Sequence, residues 1–127
     1  MITLLDYGAG NVRSVVNALE RLGETVRPVR TGEDILTAER LVFPGVGAFG
    51  SMMAILREKE LVAPLRQYLR ADRPFLGICL GLQALFEGSE EAPGVPGLGI
   101  LRGTVRRFAV DLAVDRKSTR LNSSHYS

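Results

Sequence analysis

Cys79 is the single cysteine of this 127-residue chain, and it lies between two glycines in the stretch GICLGLQ at residues 77–83. A strand ending at Ile78, a nucleophile at Cys79 and a helix beginning at Leu80 make a nucleophile elbow, the tight turn best known with serine in G-x-S-x-G. Gly77 and Gly81 suit that turn, because the side chains they omit would crowd the backbone where strand and helix pack closely. The start of the helix aims free N–H groups at the sulfur and favours the thiolate, the form that attacks carbonyl carbon. The Leu80 N–H is placed to donate to an oxyanion. A lone cysteine is ordinarily a small buried hydrophobe. The glycines at 77 and 81 turn the reading toward acyl transfer.

A second glycine-rich stretch, PGVGAFG at residues 44–50, could be ordinary turn chemistry on its own. Beside an elbow cysteine, its flexible loop can present another backbone N–H to the negative oxygen of a tetrahedral intermediate. Gly45, Val46 and Gly47 are therefore the candidate second half of an oxyanion hole. Gln83 follows the second elbow glycine by two residues and could equally face solvent.

The elements that must position these residues alternate between strand and helix. MITLL, ETVRPV (24–29), RLVF (40–43) and RPFLGI (73–78) are short apolar runs that predict strands. Val12, Val15, Val16, Leu19 and Leu22 recur at helical spacing, with Asn11 at the N-cap and Gly23 at the stop. Leu61, Val62, Leu65 and Leu69 predict a second helix, with Pro64 early enough to be tolerated. Strands apolar on both faces imply a mostly parallel sheet flanked by helices, an α/β fold. Ligands then bind outside the carboxyl ends of the strands, where DYGAG, PGVGAFG and GICLGLQ converge on one rim.

The length fits one domain with one core. Sixteen basic against fourteen acidic residues give a net charge of +2, without the aromatic interleaving of a nucleic-acid surface, so no nucleic-acid partner is expected. One cysteine cannot form an internal disulfide and no signal peptide is evident, which places the chain in the cytoplasm. The apolar runs fall short of the roughly 18 residues a membrane span needs, so no membrane is crossed. Nothing suggests a metal or cofactor. EGSEEAPGVPGLG is a loop of turn formers, and one or two strands surround Gly103. The last stretch, residues 109–127, is polar and reads as a disordered or non-native tail.

GICLGLQ resembles the nucleophile motif of the class I glutamine amidotransferases. Taken with DYGAGN, FPGVGAFG and FEGSEEAPGVPGLG, residues 1–108 resemble the glutaminase subunits of imidazole glycerol phosphate synthases, of histidine biosynthesis. The resemblance implies a flavodoxin-like core and a glutaminase in which Cys79 attacks the side-chain amide of glutamine, forms a thioester and releases ammonia. Leu80 and Val46 would supply the oxyanion donors, the latter after the Gly45–Gly47 loop rearranges. Gln83 and Glu91 would hold the substrate, and ammonia would pass to a (β/α)8-barrel cyclase subunit, with Asn11 and Ser14 toward that partner.

The family's catalytic histidine and glutamate belong to a C-terminal portion without counterpart here, and the one histidine, His125, lies in the polar tail. The sequence therefore reads as truncated, and the chain as given is expected to hydrolyse glutamine negligibly. Three alternatives stay open: another class I amidotransferase subunit, an α/β thiol-redox domain, and a module that binds the cyclase without chemistry of its own.

Overall fold

The computed structural model describes residues 1–8 and 12–106; Asn11, His125 and the rest of the tail from 107 lie outside them. The elements follow the order β1 (Ile2–Leu4), α1 (Arg13–Arg21), β2 (Val26–Pro28), α2 (Gly32–Leu36), β3 (Leu41–Gly45), α3 (Phe49–Glu58), α4 (Val62–Arg70), β4 (Phe75–Cys79), α5 (Leu80–Gln83), β5 (Gly88–Ser89) and β6 (Thr104–Val105). The main sheet has the order β2-β1-β3-β4, with every pair parallel. The chain passes from β1 outward to β2 and returns across to β3, so the order reverses between β1 and β3. In an open α/β sheet the carboxyl end of that crevice is where ligands bind.

Period-two alternation divides the core. Ile2, Leu4 and Val42 point to one face, where Val12, Val15, Val16 and Leu19 of α1 and its approach cover them. Leu5, Leu41 and Phe43 point to the other, against Ile35 of α2, Met52, Met53 and Leu56 of α3, and Leu65 and Tyr68 of α4. The expectation of strands buried on both faces holds for β1 and β3 only. β2 and β4 are edges, and Leu76 of β4 is 54% exposed because α1 covers the β1–β2 side of its face.

Local signals act much as the residue types require. Gly23 has φ +89°, and the N–H groups of Gly23 and Glu24 reach back to the carbonyls of Glu20 and Leu19, closing α1 in a Schellman motif. Pro64 is the third residue of α4, where no helical N–H is missed. The expected cap is displaced by one residue. α1 begins at Arg13, so the capping position falls to Val12, which offers no side-chain acceptor.

The turn-rich stretch after Phe86 holds a two-stranded parallel sheet of β5 and β6, not a loop alone. It is tied down by main-chain bonds from Gly97 to Glu87 and from Leu98 to Ala84. Arg66 of α4 and Arg73 beyond it are tied into the fold. Arg66 Nε donates to the Leu98 carbonyl, and Arg73 donates to the carbonyls of Leu36 and Ala38 while lying 4.8 Å from the Tyr68 ring centroid. Among the described residues no helix is long and apolar enough to cross a membrane.

Candidate active site

β4 runs through to Cys79, one residue further than the sequence implies, and α5 starts at the next residue. Cys79 has φ +53° and ψ −118°, a backbone conformation that L-residues avoid, and its side chain is exposed. The surrounding glycines are required by contact. A Cβ on Gly81 would stand 1.8 Å from the Phe43 carbonyl oxygen, and one on Gly77 would stand 2.9 Å from the Leu82 Cα. The strained bend therefore lies pressed between β3 and its own helix, with the sulfur left on the outside. Because α5 is four residues long, it contributes first-turn N–H groups and little of a macrodipole. The Leu80 N–H is among those first-turn groups, while its side chain is buried.

The second glycine loop lies beside this bend. Gly45 pairs in register with Cys79, and a Cβ on Gly45 would come 2.7 Å from the Gly81 nitrogen. Gly45, Val46 and Gly47 are thus adjacent to the nucleophile, as two strands' ends must be when the strands are neighbours. Both ends of this loop are tied. At Val46 the Tyr7 hydroxyl donates to the carbonyl at 2.6 Å and accepts from the N–H at 3.1 Å. Beyond Ala48, a Glu91 carboxylate oxygen accepts from the Phe49 N–H at 2.6 Å. Ala48 has no side-chain acceptor for the start of α3, so a residue 42 positions away supplies one.

Tyr7 reaches Val46 from the β1 side of the crevice. The Asp6 carboxylate accepts from the Gly8 N–H at 2.9 Å, turning the chain sharply as it leaves β1. The Tyr7 ring is buried and packs edge-on to Phe43 with centroids 6.0 Å apart. Burial pushes the phenol's pKa up, with a small addition from the Asp6 carboxylate, against the opposing pull of the Val46 hydrogen bond. Tyr7 therefore stays a neutral hydroxyl, able to donate and accept at once.

Of the residues expected at the site, Gly45, Val46, Gly47, Cys79 and Leu80 come together at the rim, with Gln83 one helical turn past Cys79. Glu91 joins them through Phe49. Ser14 is exposed on α1, which covers the opposite face of the sheet from α3. Asn11 lies outside the described residues. Tyr7 is the residue that sequence patterning passes over. DYGAG reads as a turn, and the only hint of more was an aromatic ring with a polar tip at a strand end. Among the described residues no group of three or more His, Cys, Asp or Glu is arranged to hold a metal ion.

The four-stranded parallel sheet with its flanking helices has its match in known proteins. A family profile described as glutamine amidotransferase class-I matches residues 3–120. The chain belongs to the class I glutamine amidotransferases. It is 56% identical over 108 residues to the chloroplastic imidazole glycerol phosphate synthase hisHF of Arabidopsis thaliana, covering 85% of this chain and 18% of that protein. It is 53% identical over 108 residues to imidazole glycerol phosphate synthase subunit HisH of Deinococcus radiodurans, covering 85% of this chain and 50% of the relative. The HisH subunit of Thermus thermophilus is 50% identical over 105 residues, with 83% and 53% covered. The chain thus spans about half the length of these single-subunit relatives. A crystal structure of a glutamine amidotransferase superposes with a TM-score of 0.72 at 27% identity, covering 90% of this chain and 60% of that one. A peptidase E protein from Listeria monocytogenes, 12% identical with a TM-score of 0.65, shares the fold.

Proposed function

We propose that this chain carries the nucleophile and oxyanion elements of a glutaminase that serves imidazole glycerol phosphate synthesis in histidine biosynthesis. The observation that carries the reading is Cys79, held at φ +53° on the end of β4 and paired in register with Gly45 of the glycine loop. The Cys79 thiolate attacks the side-chain amide carbon of glutamine, and the carbonyl electrons move to oxygen. The Leu80 N–H stabilises that oxyanion, and the Val46 N–H joins it when the Gly45–Gly47 loop turns. Collapse of the intermediate breaks the C–N bond, ammonia leaves with an added proton, and a γ-glutamyl thioester remains on the sulfur. Water then releases glutamate and regenerates the thiol.

The thiol proton passes to a base outside the described residues. Gln83 and the free oxygen of Glu91 hold the substrate, the carboxylate suiting its α-ammonium. Ammonia passes to a (β/α)8-barrel cyclase subunit, to which Ser14, exposed on α1, is offered as a contact. The fused hisHF relative supports that pairing, since one chain there bears both parts of the name.

The test uses a γ-chloromethyl ketone analogue of glutamine, in which the thiolate displaces chloride and becomes alkylated. The L-reagent is expected to label Cys79 at least about tenfold faster than the D-reagent, the factor that one well-made polar contact supplies. The C79A variant is expected to take no label. Equal rates with both enantiomers would overturn the glutamine reading.

A further inference from the structure

We infer that Tyr7 is a positioning residue of the oxyanion hole: its hydroxyl holds the Val46 peptide away from the site, and the loop works only when that hydroxyl lets go. The inference rests on the glutamine reading of Cys79 and adds to it the group that sets when Val46 becomes available. One phenolic oxygen engages both the carbonyl and the N–H of the same residue. An N–H that donates to Tyr7 cannot at the same time donate at full strength to an oxygen bonded to the Cys79 carbon adduct. With Tyr7 engaged, the hole keeps the Leu80 donor and lacks that of Val46.

The arrangement is built to separate the anchor from the loop. The Tyr7 ring is fixed, since it is 4% exposed and stacked edge-on to Phe43. Val46 is 41% exposed and lies between two glycines, one of them at φ +95°. The loop can therefore turn about its glycines without disturbing the core, and the hydroxyl is the one part of Tyr7 that bonds to it. The contact also spans the crevice between the carboxyl ends of β1 and β3, where the strand order reverses.

Tyr7→Phe removes the hydroxyl and leaves the ring against Phe43, so the variant keeps its packing. Three rates measured on the full chain decide the matter: hydrogen exchange of the Val46 amide, labelling of Cys79 by the L-chloromethyl ketone, and labelling by iodoacetamide. With the first reagent the thiolate adds to the ketone carbon, whose oxygen takes up the negative charge in the hole, before the sulfur shifts to the neighbouring methylene and chloride leaves. Iodoacetamide loses iodide by direct displacement and forms no such oxyanion. Y7F is expected to speed Val46 exchange and chloromethyl ketone labelling about tenfold each, the hold that a pair of ordinary hydrogen bonds exerts, and to leave the iodoacetamide rate unchanged. Unchanged Val46 exchange would overturn the hold itself. Faster exchange with a ketone rate that follows iodoacetamide would overturn its link to the oxyanion. Equal labelling of the wild type by L- and D-reagents would sink the glutamine reading instead, leaving the exchange rates to judge the hold of Tyr7 on Val46.

Discussion

Gly81 lies so close beneath Phe43 that the carbonyl oxygen of Phe43 occupies the space where any larger residue would carry its Cβ, 1.8 Å from that position. This contact joins the elbow to β3 and so fixes the distance between the thiol and the glycine loop. Gly81→Ala must push backbone against backbone, which no rotamer change relieves. The expected cost is at least about 3 kcal/mol, read as a lower urea midpoint. Gly50→Ala is the matched control. Gly50 is inside α3, and a Cβ there would meet the Ala92 Cβ at an ordinary 3.6 Å. It is expected to stabilise by about 0.5 kcal/mol through helix propensity.

Cys79 itself is a site of stored strain. Its φ of +53° with ψ of −118° belongs to glycine's territory, and a side chain there costs about 1–3 kcal/mol. Cys79→Gly is expected to raise stability by about 1 kcal/mol after allowing for glycine's looser unfolded chain. Cys79→Ala keeps the strain and should melt within a degree or two of the wild type, as a ΔΔG of only a few tenths of a kcal/mol implies. Both variants lose the thiol. A thermal melt that ranks Gly above Ala would show that the bend is maintained for the sulfur it presents.

The elbow was legible in sequence because its requirements are local. Gly77, Cys79 and Gly81 fall within five residues, and each answers to a neighbour in the same turn or in the adjoining strand. The alternation of strand and helix was legible for the same reason, since periodicity needs only a short window. Tyr7 and Glu91 were not legible in their roles. Tyr7 meets Val46 across 39 residues and Glu91 meets Phe49 across 42, through contacts that depend on strand order and not on pattern. The edge exposure of Leu76 was hidden likewise, because an apolar run does not reveal which strand lies outermost.

Arg73 gives a third expectation. Its guanidinium serves the carbonyls of Leu36 and Ala38 at the end of α2 and lies over the Tyr68 ring, so it fastens the exit of α2 to the exit of α4. Arg73→Ala leaves two carbonyls short of a donor and is expected to cost about 2 kcal/mol in chemical denaturation. Arg73→Lys should recover only part, because a single ammonium lacks the planar fork that spans both acceptors.

Alkaline pH should weaken the fold through the buried phenols of Tyr7 and Tyr68. Burial raises the pKa of Tyr7, and burial likewise raises that of Tyr68, whose hydroxyl donates to the Pro74 carbonyl at 2.6 Å. A raised folded value means that the native state holds these protons more tightly than the unfolded chain, whose tyrosines titrate near 10.0. Their contribution is complete below that pH and fades as pH climbs through the higher folded values, because unfolding then releases protons. Urea midpoints measured from pH 8 upward should therefore hold level and then fall above about pH 10. The double variant Y7F/Y68F should begin with a lower midpoint and show a shallower fall. If wild type and double variant decline in parallel, other groups drive the alkaline loss and the two phenols are not its source.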